Sequence, residues 1–590
     1  MSSKILNITL LLVAGFLFQG QGYSQDMYVS PSTYVYVANQ YVYIKNALEL
    51  NASTSNFYLR KDGQLLQGTT GSGANKGVGS LSVIQEGTVN NYQFNYWCSP
   101  VGNTATSNSI NNPFGIPQLG RPTTTTAATA ASILGSNVYD GISNPLAIAP
   151  YWIYQFINKS FYSDWVQVGS ASTINAGLGF TMKGTSGIDI TTVDGVQNNS
   201  DGKQQRYDFR GKPNDGTIEI PVLPGELTLT GNPYPSAIDL QAFLIAETNC
   251  TGSAYFWEQD KTINSHYIAD YKGGYGTYSL SNIYTPAVFY SYNGSGAEIV
   301  SVTSPGIIYK RKYSPIGQGF MIEGESSATG NVQMKNSYRV YIKEGVANNS
   351  EFAKIRNVKT TADTAADLPQ IRFNTLLDNG PISQMVLAFD PTSTDGADRA
   401  DSLSPNDGPS NNYFVINNKE YIIAVMPFDI DKKIPVGFRN YAQANYKITV
   451  NQMLNLPEVA NVYLHDKTTD LYHDIKGSFC DLTLPAGTYN TRFEITFKNG
   501  ALGVKDIESK RFLIQQDNVN KNLIINNPSQ IELANYSLYD VVGRLVHSKD
   551  KLGANTSYTF STANLSNGIY IVKLTANDKT EKGQKIIVKN

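Results

Sequence analysis

Cysteine is nearly missing from this chain. Cys98, Cys250 and Cys480 are the only three in 590 residues, and they lie far apart. An odd, low count argues against a disulfide framework; at most one pair closes, and each thiol reads as a small buried hydrophobe. Charge is also scarce: Asp, Glu, Lys and Arg make up 16% of the residues and the formal net charge is −2. That balance supplies no basic surface, so neither nucleic acid nor an anionic membrane is an expected partner. Long apolar runs are absent beyond the first twenty residues, and no transmembrane segment is expected. No H-E-x-x-H, C-x-x-C, P-loop or G-x-S-x-G motif occurs. The chain is therefore read as non-enzymatic. A glycoside hydrolase, whose two carboxylates come together only on folding, is the remoter alternative.

What is abundant is tyrosine and glycine, 38 and 50 residues, together with Asn, Ser and Thr. Tyr and Thr favour half-buried strands, and Gly and Asn populate turns. The expected class is all-β: several β-sandwich or jelly-roll-like modules followed by a small Ig-like sandwich at the C-terminus. The length allows three to four domains. At the N-terminus, Lys4, the short apolar stretch Ile8 to Phe18 and the small residues before Gln25 form a secretory signal peptide over 1–24, with cleavage expected between Ser24 and Gln25.

A weak internal repeat organises the next part. Its closing pieces are Gly177-Leu178-Gly179-Phe180-Thr181-Met182-Lys183-Gly184 and Gly317-Gln318-Gly319-Phe320-Met321-Ile322-Glu323-Gly324. The shared G-x-G-F predicts a strand entered through a tight turn, with Phe180 and Phe320 in a core and glycines allowing close backbone approach. A strand pattern, not a helix, follows each, which argues against a phosphate loop. The repeat suggests domains at 25–225, with an insertion at 104–148, and at 226–347. Asp62-Gly63 predicts a hairpin over 58–66. Ala127 to Leu134 reads as a short helix and Ala237 to Ala246, after Ser236, as the best helix. A further sandwich is expected over 351–500, with a hairpin at 462–475 and Tyr489 as a tyrosine corner.

Candidate sites are few. Asp390, Asp395, Asp398 and Asp401 share one loop with a Gly turn, which is the oxygen-rich composition a calcium ion wants, without EF-hand spacing. A solvated loop is the simpler reading. His465 and His473 would make two metal ligands if the hairpin register set them opposite. Trp97, Trp152, Trp165 and Trp257 belong to a core or to a sugar-binding face. Asp363-Thr364-Ala365 and Asp401-Ser402-Leu403 resemble the O-glycosylation acceptor of Bacteroidota.

The last eighty residues, 510–590, carry the most specific pattern. Leu538-Tyr539-Asp540-Val541-Val542-Gly543-Arg544 is followed by Leu565-Ser566-Asn567-Gly568-Ile569-Tyr570-Ile571-Val572-Lys573 and by Lys585-Ile586-Ile587-Val588-Lys589. This order resembles the type A C-terminal sorting domain of Bacteroidota type IX secretion cargo, without the usual opening Pro-Asn-Pro. With Gly-Asn-Pro-Tyr-Pro-Ser-Ala-Ile-Asp at 231–239, Gly-Gln-Gly-Phe at 317–320, Thr-Asp-Gly-Ala-Asp at 394–398 and Tyr-Leu-His-Asp-Lys at 463–467, residues 30 to 500 resemble uncharacterised flavobacterial surface proteins, some of them associated with gliding and adhesion. The resemblance implies export across both membranes to the cell surface or medium. It also implies recognition by the type IX outer-membrane translocon and its shuttle barrel. Tyr539, Asp540, Gly543, Arg544, Gly568, Tyr570 and Lys573 are the expected sorting-signal residues. The role expected at the surface is interaction, as an adhesin, a motility component or a subunit of an assembly; binding of a glycan is the alternative.

Overall fold

A computed structural model describes residues 25–68, 70–170, 173–301, 306–345, 347, 349–352, 368–378, 380, 382–456, 461–499, 512–577 and 581–590. Ser24, residues 500–509 of the linker expected at 499–509 and the Asp363 acceptor lie outside these residues. Gln25 lies within them; its carbonyl accepts from the Asn46 N–H at 2.7 Å.

The N-terminal segment is a coil of parallel strands. Met27–Val29 pairs in parallel with Leu48–Leu50, Tyr34–Ala38 with Asn56–Arg60, and Tyr41–Ile44 with Gln64–Gln67. Ser80–Glu86 extends the second of these faces. Val37, Ile44, Phe57, Leu59, Leu65 and Leu81 point inward and are buried, while Tyr34, Tyr36, Tyr41 and Tyr43 stand outside. The expected 58–66 hairpin is therefore corrected. Its two strands leave the Asp62-Gly63 corner on different faces and each pairs with the preceding turn of the coil. Lys61, at φ 48°, takes the left-handed conformation. A local turn signal fixes a reversal of direction, but not which strand is the partner.

Arg206–Pro213, Leu119–Pro122 and Ala128–Ala130 continue the coil's sheet in antiparallel fashion. The helix expected at 127–134 is thus two short strands, Ala128–Ala130 and Ser132–Ile133. Pairing with Leu119–Pro122 overrides the helical preference of alanine.

The repeat has a structural basis. Phe94–Cys98 pairs with Gly179–Lys183, and Leu227–Gly231 with Gly319–Gly324. The two copies then pack on each other reciprocally. A Cβ on Gly179 would lie 2.7 Å from the Thr230 carbonyl oxygen of the second copy, and one on Gly319 would lie 2.6 Å from the Tyr96 carbonyl carbon of the first. Phe180 and Phe320 are fully buried. One cluster of buried side chains runs from Val29 to Phe352 through both copies. The helix begins at Leu240, later than expected. Asp239, not Ser236, caps it by accepting from the Ala242 N–H at 2.9 Å, while Ala237–Asp239 is a strand.

Within the all-β class, the third unit takes the form of one rolled sheet. Twelve strands from Gln370–Leu377 to Phe493–Thr496 share it among the described residues. The Val450 N–H donates to the Ile475 carbonyl at 2.7 Å and draws its ends together. Tyr489 donates to the Pro485 carbonyl at 2.9 Å, tying loop to strand as a tyrosine corner does. The C-terminal unit is a two-sheet sandwich. Its three-stranded sheet holds Leu513–Asp517, Asn522–Asn526 and Ser557–Ser561, and its four-stranded sheet runs from Leu533–Asp540 to Glu581–Val588. Leu523, Ile525, Tyr536 and Val572 fill the space between them. Among the described residues no helix is long and apolar enough to cross a membrane. The three cysteines are free and buried, and burial pushes their thiols up.

Candidate functional site

The C-terminal motif is built around one turn. Asp540 Oδ1 accepts from the N–H groups of Val542 at 3.1 Å and Arg544 at 3.0 Å, and Arg544 Nε closes on Oδ2 at 3.0 Å. Gly543 occupies φ 80°, which suits glycine. Asp540, Gly543 and Arg544 are thus one device, and the Arg544 side chain remains 79% exposed. Tyr570 is buried and donates to the Ser566 carbonyl at 3.0 Å, while Gly568 is exposed at the start of its strand. Tyr539 and Lys573 face the neighbouring unit instead. The Tyr539 ring meets Phe479 at 4.7 Å, and Lys573 Nζ lies 5.4 Å from the same ring while pairing with Glu581 at 2.9 Å. Lys585 Nζ donates to the Val450 carbonyl at 2.7 Å. Phe479 is only 5% exposed under this contact.

The acidic loop does not gather its carboxylates. Asp390 accepts from the Thr392 N–H, Asp398 from those of Thr394 and Ala400, and Asp401 from that of Asp398, as local backbone caps, while Asp401 also accepts from the distant Val425 N–H. Asp395 pairs with Lys432. Among the described residues no three His, Cys, Asp or Glu side chains are grouped to hold a metal ion. The loop has a different structural use. Arg399 donates to the Leu244 carbonyl at 2.5 Å and the Glu247 carbonyl at 2.9 Å, at the C-terminal end of the helix. Ser402 is fully buried, with Ser253 donating to its hydroxyl at 2.8 Å, so this candidate acceptor is closed in the fold.

The paired-histidine site is corrected by register. His465 faces Tyr472, and His473 faces Leu464. Adjacent positions on a strand point to opposite faces, so the two imidazoles diverge. His465 lies between Glu494 at 2.9 Å and Asp470 at 3.0 Å, stacked on Tyr472 at 4.0 Å.

The richest chemistry lies where the two repeat copies meet. Trp97 is core, fully buried against Tyr207, Phe209 and Phe352. The other three tryptophans join a belt of rings. Trp152 stacks on His266 at 5.1 Å and meets Phe94 edge-on at 5.8 Å. Trp165 contacts Tyr96 at 5.9 Å, Tyr96 and Tyr275 share a 2.8 Å hydrogen bond, and Trp257 contacts Tyr275 at 5.2 Å. Phe94 and Tyr96 come from the first copy, Trp257 and Tyr275 from the second. Gly273 makes room for Trp257: a Cβ there would stand 2.7 Å from the indole. Lys183 is buried in the belt, 3.6 Å from the Trp152 ring centre, 3.0 Å from His266 Nδ1 and 2.5 Å from Tyr271 Oη. Burial pushes its ammonium down to about 6. His266 Nε2 continues the chain to Asp140 at 2.9 Å.

A cavity of about 230 Å³ opens beside the belt, lined in part by Phe94, Tyr96, Trp257, Glu258, Gln259 and Lys261. Glu258 accepts from Tyr284 Oη and, at 2.9 Å, from the Ile307 N–H; burial pushes its carboxyl up. Gln259 Oε1 accepts from Trp257 Nε1 at 2.8 Å, and its buried Nε2 has no partner. A larger hollow of about 450 Å³ lies by Tyr43 and Lys335. It lacks this ring belt, and its Lys335 is already paired with Glu247 at 2.6 Å. The smaller cavity therefore has the better chemistry. Lys183, Glu258, Gln259 and Tyr275 were not singled out from sequence. Their one signal was composition: a lysine closing the G-x-G-F-T-M strand, and the Gly-Gly-Tyr-Gly run at 273–276.

The C-terminal sandwich and its turn motif define the class of protein, an exported cargo of type IX secretion. The family described as "Secretion system C-terminal sorting domain" matches residues 518–589, and the chain is sent to the cell surface or medium. The family described as "Domain of unknown function (DUF8693)" matches residues 131–497, more than half the chain, and this protein belongs to it. No curated protein matches the chain. A solved structure titled "Biofilm associated protein - BSP domain" aligns over 88% of this chain and 98% of its own, at 8% identity and a TM-score of 0.12, a likeness too slight to argue from.

Proposed function

We propose that the exported protein is a non-enzymatic binding protein of the cell surface, and that the aromatic belt between its repeat copies is the contact face. The observation behind this reading is the belt itself. Trp165 and Trp257, one from each copy, are partly exposed, and the buried Trp152 meets the exposed ring of Tyr139 at 5.9 Å. Aromatic planes that keep one face accessible are the usual anchors of recognition surfaces. The role expected of such a face is attachment, in adhesion, motility or a surface assembly.

The test is attachment of intact cells. A strain lacking the protein should adhere less to glycan-coated surfaces, and purified full-length protein should restore or compete for that attachment. Equal adhesion of the two strains, together with a pull-down that recovers export components alone, would reject this reading.

A further inference from the structure

We infer that the cavity beside Trp257 receives a single neutral, polyhydroxylated sugar ring, such as the terminal residue of a surface glycan. This rests on the surface-binding reading above and names its ligand. Size comes first. At about 230 Å³ the cavity falls below the roughly 300 Å³ lower bound of pockets for drug-sized ligands, so it admits one ring and not an oligomer. Shape and polarity agree. Phe94, Tyr96 and Trp257 offer ring faces or edges, against which the C–H face of a pyranose packs as on any apolar plane.

The hydroxyls of such a ring need donors and acceptors, and the cavity has both. Gln259 presents a buried N–H₂ with no protein partner, held in orientation because Trp257 Nε1 anchors the other end of the amide. A buried donor left unpaired is uncommon in a folded protein, and an incoming hydroxyl oxygen would satisfy it. Glu258 uses one lone pair of each oxygen on Tyr284 and Ile307, so further acceptor capacity remains.

Charge selects a neutral ligand. Arg311 stacks 4.2 Å from the Phe256 ring centre and 4.3 Å from that of Tyr309, two residues of the same lining. Lys261 donates to the Thr88 carbonyl at 2.9 Å on the other side. These cations already face Glu258 and disfavour a cationic guest, while Glu258 and Asp260 disfavour an anionic one.

The experiment uses the full mature chain and a panel of methyl glycosides of hexoses, N-acetylhexosamines and deoxyhexoses. Saturation-transfer NMR detects binding, and tryptophan fluorescence gives the affinity. We expect at least one glycoside to bind. We expect Trp257→Leu and Gln259→Leu each to weaken it about tenfold or more, with the melting temperature kept. Gln259→Leu is the decisive variant should Trp257→Leu fail to fold, because it removes the unpaired N–H₂ at the further cost of the bond from Trp257 Nε1. The inference is overturned if no glycoside binds, or if Gln259→Leu binds as well as the native chain. Adhesion that persists in Gln259→Leu cells would place the contact elsewhere on the belt and leave the surface-binding reading standing. Loss of adhesion dependence altogether would remove both.

Discussion

Lys183 closes a strand, Gly179–Lys183, in which every residue is buried. Its amine lies among rings, with no carboxylate in direct contact among the described residues, and burial sets its folded pKa at about 6 against an ordinary 10.5. Between those values the unfolded chain holds a proton that the folded chain does not. Stability must therefore rise with pH across that window, by up to about 1.4 kcal/mol per unit, and this contribution is flat below pH 6. Lys183→Met should raise the urea midpoint at pH 7 and flatten its climb between pH 7 and 9. An undiminished climb in the variant would show that the amine stays charged in the fold. Asp466 behaves in the opposite sense. The paired Arg492 guanidinium, at 2.8 Å from each carboxylate oxygen, holds its carboxyl down at about 2. Its contribution is present above the usual carboxylate range and fades as pH falls toward 2. Asp466→Asn should cost about 1–3 kcal/mol at neutral pH and about half as much at pH 3, as read from denaturation at the two pH values.

Strands and their corners carry the next level. The G-x-G-F segments combine two demands. Gly177 and Gly317 adopt φ 83° and 81°, and Gly179 and Gly319 let each copy's strand touch the other copy's backbone. Because the contact is reciprocal, Gly179→Val and Gly319→Val should be similar in effect, each destabilising by about 1–3 kcal/mol through overpacking. Chemical denaturation of the single variants checks this; a silent Gly319→Val would mean that the copies do not bear on each other there. The acidic loop shows a related point. Of four carboxylates close in sequence, Asp390 and Asp398 hold local turns, Asp395 pairs with Lys432 and Asp401 reaches the Val425 N–H, while Arg399 fastens the rolled sheet to the helix.

For the whole molecule, export and the proposed binding are divided between regions. Removing residues 512–590 should leave the protein in the periplasm with the remainder folded; surface immunolabelling of that truncation is the measurement, and normal display would contradict the sorting role. The sorting domain also leans on its neighbour through Phe479, which takes the Tyr539 ring and Lys573. Phe479→Ser should release this contact and speed amide exchange around residues 478–480 and 539–543 without unfolding either unit. Unchanged exchange would mean that the two units hold together by other contacts.

The sequence by itself determined the class, the export route and the core-facing residues of the repeat. The all-β pattern, the buried Phe180 and Phe320, the Tyr489 corner and the sorting motif are all local signals, readable because each depends on a few neighbouring residues. Tertiary structure decided everything that depends on partners distant in sequence. Asp62-Gly63 marked a turn, but only stacking of successive coils made its strands parallel. A one-residue register separated His465 from His473. Alanine-rich 127–134 became strand because a neighbour was there to pair with it. The belt and cavity needed the fold most of all, since Phe94 and Tyr96 meet Trp257 and Gln259 across more than 150 residues of chain, and no spacing within either segment announces the other.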